Sequence, residues 1–390
     1  MITLLIIIYI TFISLGLPDA LLGSAWPAMY QGLGVPIANA GFVSMIISGG
    51  TIISSFASGK LIKRFGIART TIVSVAMTAI ALTGISFSSN FWFICLWAIP
   101  LGLGGGTVDS ALNNFVALHY EAKHMNWLHC FWGIGASLGP IIMSLALSQW
   151  QSWNLGYRII GVMQIALVIV LFLTLHLWKR ASMAKGPKPK EEDVETSLTT
   201  ILSLPGAKET LGAFFCYCAI EATMGLWGSS YLVTTRNIAK ETAASWVALY
   251  YGGITIGRFL SGFLAIKFSP KQTIRMGQIL LAIGVVILLF PLPNRVITIG
   301  FLLIGLGCAP IFPSLLHETP RSFGVKYSQA MVGVQMGCAF MGSTFMPPLF
   351  GLIATKISYK ALPLFLGGLL TLMVVMVGVL YQKTKARRGA

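Results

Sequence analysis

Long apolar runs separated by short polar segments dominate the sequence. About twelve such runs of roughly 20 residues are rich in Leu, Ile, Val, Gly and Phe, and this is the length a helix needs to cross a hydrocarbon core of about 30 Å. Strands of a membrane barrel would instead be about ten residues long and would alternate apolar with polar positions. We therefore predict an all-α membrane protein with twelve transmembrane helices. Their approximate bounds are 4–30, 39–60, 70–89, 91–117, 125–148, 156–178, 208–235, 243–266, 273–291, 296–316, 327–354 and 361–382.

The composition agrees with this class of protein, since 56% of the 390 residues are hydrophobic and 10% are charged. The mean hydropathy of +0.81 is too high for a soluble domain of ordinary composition. The first apolar run has no basic segment before it and no small-residue cleavage site after it. We therefore interpret it as a retained helix rather than a signal peptide.

The formal net charge of +16 raises the question of nucleic-acid binding. The basic residues lie in loops, however, and not on one face of a soluble domain. They are concentrated after the second, sixth, eighth and twelfth predicted helices, and the loops on the opposite side hold few of them. The positive-inside rule then predicts that both termini are cytoplasmic. We expect a protein of the bacterial inner membrane that contacts the lipid bilayer and no nucleic acid.

A polar segment divides the chain near its middle. Residues 179–207 combine Pro, Gly and Lys with a cluster of acids, so we predict a cytoplasmic linker between six-helix bundles at 1–178 and 208–390. The halves share sequence, because GGTIISSFASGKLIKRF (49–65) aligns with GGITIGRFLSGFLAIKF (252–268). GLGGG (102–106) likewise aligns with GLGCA (305–309), and GASLGP (135–140) with GSTFMP (342–347). The sequence thus predicts a duplicated bundle, an architecture in which many transporters place a solute site near the bilayer midplane.

Three of the eleven acids fall deep inside predicted spans, namely Asp19, Asp109 and Glu221. The other eight, Glu318 among them, are assigned to loops or helix ends. A charge at such depth costs about 2.5 to 3.5 kcal/mol on the mildest insertion scale, so buried acids mark ion or solute paths more often than they serve as contacts between helices. Arg258 is the basic residue well inside a predicted span, and two roles stay open for it: counter-ion of Glu221, or donor to a solute.

Polar and aromatic residues accompany these acids at helical spacing. Asn113 lies four residues after Asp109 and so on the same helix face. Trp26 and Trp227 follow the acids of the first and seventh helices, and a polar group beside a tryptophan face suits a hydroxylated ring such as a sugar. Packing or interfacial anchoring fits either tryptophan equally well.

We expect these residues to face a central cavity. The predicted proton-coupling residues are Asp19, Asp109 and Glu221, and the predicted solute-binding residues are Asp19, Trp26, Asp109, Asn113, Glu221, Trp227 and Arg258.

Several motifs resemble those of a known family. GKLIKRFGIAR (59–69) resembles the signature that the major facilitator superfamily carries between helices 2 and 3, with Lys63 where the signature has Asp. Within the superfamily, GGTVDSALNNF (105–115) and GLPDALLGSAWP (16–27) are similar to motifs of the fucose permease type. The resemblance implies two pseudo-symmetric six-helix bundles and a cation-coupled sugar transporter, in which Asp109 and Asp19 handle the proton and the substrate.

The leading hypothesis is proton-coupled symport of a sugar or a similar small polar solute by alternating access, with Na⁺ left open as the coupling ion. A second is a proton-coupled efflux antiporter for hydrophobic compounds, which the 16 Met and 11% aromatic residues do not exclude. A third is a membrane receptor without transport. The sequence shows no nucleophile with a base, no metal cluster and no strand before GLGGG, so we predict no enzyme, cofactor or metal. We expect a monomer that binds a small-molecule solute.

Overall fold

A computed structural model of the protein describes residues 2–119, 122–178 and 198–388. Every regular element in these ranges is helical. In chain order the elements are α1 (Ile2–Asp19), α2 (Leu21–Gly32), α3 (Asn39–Phe65), α4 (Ile67–Phe87), α5 (Phe91–His119), α6 (Ala122–Trp150), α7 (Trp153–Leu173), α8 (Leu198–Ser203), α9 (Ala207–Arg236), α10 (Lys240–Lys267), α11 (Pro270–Leu289), α12 (Asn294–Cys308), α13 (Ile311–Phe323), α14 (Val325–Lys356), a 3-10 helix (Tyr359–Ala361) and α15 (Leu362–Arg388).

Within the described ranges, twelve stretches of helix are long and apolar enough to cross a membrane. They are Thr3–Gly32, Asn39–Ile62, Ile67–Phe87, Phe91–Asn113, Trp127–Trp150, Trp153–Leu173, Ala207–Arg236, Lys240–Leu264, Pro270–Leu289, Asn294–Phe323, Ala330–Lys356 and Tyr359–Thr384. These stretches follow the predicted spans in number and order. The prediction of a twelve-helix membrane protein is therefore confirmed.

The first span is interrupted near its centre, a feature that the apolar pattern does not predict. α1 ends at Asp19, the residue after Pro18, and α2 begins at Leu21. Proline has no backbone N–H, so the carbonyl of Ser14, four residues earlier, loses its helical partner. The side chain of Gln164 in α7 supplies the donor, because its Nε2 donates to the Ser14 oxygen at 2.6 Å. A neighbouring helix thus supplies the hydrogen bond that this carbonyl could not obtain from the hydrocarbon of the bilayer.

The described residues form two compact units. The first contains those of Met1–Lys190 together with Gly228–Ala248, and the second contains those of Glu191–Trp227 together with Leu249–Ala390. The predicted division at 1–178, 179–207 and 208–390 stays a prediction, because residues 179–197 lie outside the described ranges. The structure describes residues 198–207 of the predicted linker, which contain α8 and the first residue of α9.

Glycines let helices of the first unit pack backbone against backbone. α1 packs on α6 at Gly135, where a Cβ atom would overlap the carbonyl oxygen of Ile13. α3 packs on α5 at Gly102, where a Cβ atom would overlap the carbonyl oxygen of Ile47. Small residues at such contacts are typical of membrane helices, whose association depends on close packing. The GLGGG run therefore serves helix packing.

The second unit repeats both contacts. α9 packs on α14 at Gly342, opposite the carbonyl oxygen of Phe215, and α10 packs on α12 at Gly305, opposite that of Tyr250. These glycines belong to the motifs that align between the halves. The duplication predicted from sequence is thus visible in the packing.

The repeated contacts also relate two of the acids inside the spans. Phe215 lies 202 positions after Ile13, and Glu221 lies 202 positions after Asp19. Each acid comes six residues after the residue whose carbonyl faces the packing glycine. Asp19 and Glu221 therefore hold equivalent positions in the first and seventh membrane spans.

Glu318 lies in the last six residues of α13, in agreement with its assignment to a loop or helix end, but its burial is not predicted by the apolar pattern. Its side chain is 3% exposed, and it lies in α13 inside the tenth span, which continues to Phe323. The apolar run weakens after residue 316, but the helix continues to Phe323 with one buried face and one exposed face. Leu315, Thr319 and Ser322 are buried on the same face as Glu318.

Candidate functional site

Asp19 lies at the carboxyl end of α1, and its side chain is exposed. The indole Nε1 of Trp132 in α6 donates a hydrogen bond to Asp19 Oδ2 at 2.7 Å. Gly16 allows this approach, because a Cβ atom there would overlap the carbonyl oxygen of Trp132. A carboxylate beside an indole ring offers a hydroxylated solute both a hydrogen-bond acceptor and an aromatic face.

We expect Trp132→Phe to weaken solute binding about tenfold or more. The variant keeps an aromatic ring but loses the N–H that holds Asp19, and hydrogen bonds to charged groups contribute about 1.5 to 3 kcal/mol. The measurement is the increase in melting temperature of the purified protein at a fixed solute concentration, which becomes smaller as the dissociation constant rises. Trp150→Phe is the matched control, since Trp150 ends the same helix and is 60% exposed. Equal affinities for wild type and Trp132→Phe would show that the indole does not position the acid.

Asp109 and Asn113 form a hydrogen-bonded pair on α5. Asn113 Nδ2 donates to Asp109 Oδ1 at 2.9 Å and to the Asp109 carbonyl oxygen at 3.0 Å. Both residues are partly buried. Because the partner of the carboxylate is neutral, protonation of Asp109 leaves no unpaired cation behind. The Asp109 carboxylate is therefore well placed to gain and lose a proton.

Asp19 and Asp109 belong to the same unit, and their helices are in contact. Leu15 faces Gly105, where a Cβ atom would lie 3.8 Å from Leu15 Cδ1. Asp19 comes one helical turn after Leu15, and Asp109 comes one helical turn after Gly105.

In the second unit, Glu221 of α9 and Arg258 of α10 form an ion pair. The Glu221 Oε1 and Arg258 Nη2 atoms are 3.5 Å apart, and the side chains are 18% and 16% exposed. Of the two roles left open for Arg258, the structure shows the counter-ion. Binding of a solute by Arg258 or Glu221 stays a prediction.

Three tyrosines that the sequence pattern does not single out surround this pair. Tyr250 is buried, and its hydroxyl donates to the carbonyl oxygen of Glu221 at 3.1 Å. The Tyr251 hydroxyl lies against Gly225, where a Cβ atom would displace it. Tyr217 is 1% exposed, and its hydroxyl has no hydrogen-bond partner among the described residues. The available signal was the spacing of Tyr217, Glu221 and Gly225, which places all three on one helix face.

Trp26 and Trp227 are fully buried. The Nε1 atom of Trp26 donates to the Ile37 carbonyl oxygen at 2.6 Å, and that of Trp227 donates to the Pro347 carbonyl oxygen at 2.7 Å. The structure thus shows the packing role for both, and contact with a solute stays a prediction. The tryptophan that contacts one of the predicted acids is Trp132, whose signal was its place three residues before the repeated glycine of α6.

Twelve membrane spans in a duplicated arrangement, with acids held inside them by specific donors, define the class of membrane transport proteins. The sequence profile of the Major Facilitator Superfamily matches residues 8–234 and 209–390. The chain therefore belongs to the Major Facilitator Superfamily and is a transporter of that family. The resemblance drawn from the sequence motifs is confirmed.

Similar proteins come from bacteria and yeast. The glucose/mannose transporter GlcP of Bacillus subtilis is 22% identical over 382 residues, which cover 95% of this chain and 92% of GlcP. Bypass of stop codon protein 6 of Saccharomyces cerevisiae is 22% identical over 386 residues, which cover 91% of this chain and 78% of that protein. The solved structure of the E. coli fucose:proton symporter FucP superposes with a TM-score of 0.64 over 97% of this chain and 98% of that chain, at 16% identity. This likeness shows the same fold.

Proposed function

We propose that the protein is a proton-coupled symporter that takes up a sugar or a similar small polar solute by alternating access. It works as a monomer in the bacterial inner membrane, with both termini in the cytoplasm. The coupling ion is H⁺ rather than Na⁺, and transport needs no cofactor or metal.

The pair of Asp109 with Asn113 carries this proposal. Asp109 lies near the end of the fourth span, whose last residue is Asn113, and the hydrogen bond to the Asp109 carboxylate comes from an amide rather than from a cation. A carboxylate in an apolar span is costly to maintain unless its charge is used, and a neutral partner lets that charge change. Coupling needs such a group, because a proton taken up on one side must be released on the other.

The solute is inferred from the second acid and from the similar proteins. The Asp19 carboxylate with the Trp132 ring matches the hydroxyls and apolar face of a sugar. GlcP is named for glucose and mannose transport, and FucP for fucose:proton symport. Both observations favour a neutral hexose over a hydrophobic compound.

Uptake into proteoliposomes tests the proposal. Vesicles containing the purified protein are given an outside pH one unit below the inside pH, and labelled glucose, mannose, galactose and fucose are supplied in turn. A gradient of one pH unit is equivalent to about 1.4 kcal/mol per proton, so one proton per solute supports about tenfold accumulation. We expect accumulation of at least one hexose, and a protonophore should abolish it.

Three results would contradict the proposal. Accumulation driven by a Na⁺ gradient in the presence of a protonophore would make Na⁺ the coupling ion. Extrusion of a hydrophobic dye without hexose uptake would make the protein an efflux antiporter. Hexose binding with no flux under any gradient would make it a receptor.

A further inference from the structure

We infer that Glu221 excludes anionic solutes by occupying Arg258, which restricts this transporter to uncharged hydroxylated solutes. The inference rests on the proposed function and deepens it, because it names the class of solute and the residues that select it.

The first observation is the geometry of the ion pair. The separation of 3.5 Å is at the long limit of a hydrogen bond, and both side chains retain some exposure inside the seventh and eighth spans. A guanidinium at this depth requires an anion, since an uncompensated buried charge is strongly unfavourable. Glu221 is therefore a resident anion that balances Arg258.

The second observation is the contrast with the equivalent position in the first unit. The Trp132 indole donates a hydrogen bond to Asp19, whereas the Arg258 guanidinium forms an ion pair with Glu221. A carboxylate on a solute is chemically the same partner as the Glu221 carboxylate, and a guanidinium binds either one well.

The third observation is the hydroxyl of Tyr217, one helical turn before Glu221. It is buried, and it has no hydrogen-bond partner among the described residues. A buried hydroxyl of this kind is well suited to a solute hydroxyl, which can donate and accept. With the two charges balanced against each other, the groups at this position suit hydroxyls rather than a carboxylate.

Glu221→Gln tests the inference, with solutes that differ in one group. Glucose is compared with glucuronate and galactose with galacturonate, so that each hexose is matched to the same ring carrying a carboxylate. Wild-type proteoliposomes should take up the hexose at least tenfold faster than its uronate. In Glu221→Gln, where Arg258 has lost its resident anion, the ratio should shift at least tenfold toward the uronate.

Two further variants separate this effect from a general disturbance. Glu209→Gln removes the carboxylate of another ion pair, with Lys383, from the first turn of the same helix, and it should leave the ratio unchanged. Glu221→Gln combined with Arg258→Gln removes both charges, and the ratio of uronate uptake to hexose uptake should return to the wild-type value. A ratio that stays shifted toward the uronate in the double variant would overturn the role of Arg258.

A wild-type measurement covers the case in which Glu221→Gln does not fold. Uronate at the same concentration as unlabelled hexose should inhibit labelled hexose uptake by the wild type far less than the hexose does, and inhibition as strong as that by unlabelled hexose would overturn the inference. So would a folded Glu221→Gln protein with the wild-type ratio. These failures are distinct from failure of the proposed function, which would appear as absence of proton-driven hexose uptake in the wild type itself.

Discussion

Replacing Asp109 by asparagine should abolish proton-driven accumulation of solute while solute exchange continues. The asparagine amide keeps the size of the side chain and an oxygen that can accept from Asn113 Nδ2, but it cannot take up a proton. In proteoliposomes with a pH difference of one unit, accumulation should fall from about tenfold to simple equilibration. Exchange between labelled external solute and preloaded internal solute should remain close to that of the wild type.

Asn113→Ala is the matched control, because it changes the other half of the same pair. It removes the N–H donor and should weaken solute binding by about 1 to 3 kcal/mol, while the solute that does bind is still driven by protons. The two variants thus separate coupling from binding. If Asp109→Asn still concentrates solute with protons as the only driving ion, the coupling residue is Asp19 or Glu221 instead.

Replacing Gly305 by alanine should destabilise the second unit more than any conservative change on the surface. The added methyl group would overlap the carbonyl oxygen of Tyr250, and α10 would have to move away from α12. Overpacking of this kind costs about 1 to 3 kcal/mol and occasionally more. We expect a clearly lower melting temperature for the purified protein in detergent and less protein in the membrane.

Gly252→Ala is the control for this prediction. A Cβ atom at Gly252 would meet nothing within 4 Å, and alanine in a helix is favoured over glycine by up to about 1 kcal/mol. The two substitutions should therefore have opposite signs. Gly102→Ala and Gly49→Ala should repeat this contrast in the first unit, where Gly102 faces the Ile47 carbonyl oxygen and Gly49 meets nothing within 4 Å. Equal melting temperatures within each pair would contradict the close packing of the helices.

Several properties of the site were predictable because they follow from local chemistry. Membrane lipid excludes charge, so an acid inside an apolar run stands out in the sequence alone, and this singled out Asp19, Asp109 and Glu221. Helical periodicity placed Asn113 on the face of Asp109, and the structure shows the hydrogen bond between them. The same reasoning failed at Glu318, because a polar helix face turned inward does not differ in sequence from one turned outward.

The partner of Asp19 was not predictable from local pattern. Trp132 lies 113 positions from Asp19, so no spacing rule relates them. Arg258, 37 positions from Glu221, was a candidate counter-ion because it is a basic residue inside a span, and not because of its spacing. Trp26 and Trp227 lie nearer to the acids along the chain, yet the indole N–H of each donates to a backbone carbonyl oxygen and not to an acid. Distance along the chain therefore did not indicate which tryptophan contacts an acid. Contacts between helices depend instead on where glycines permit close approach.

The sequence by itself determined the twelve membrane spans, the duplication and the family, since all three depend on the hydrophobic length of segments and on motifs repeated along the chain. The tertiary structure alone decided where the first span breaks and which donor faces Asp19. The Ser14 carbonyl, which loses its helical partner to Pro18, is tolerated in a membrane because Gln164, from a helix far away in the sequence, donates a hydrogen bond to it. An indole faces Asp19 and a guanidinium faces Glu221 because different helices pack beside two equivalent positions, and only packing brings residues from different helices together.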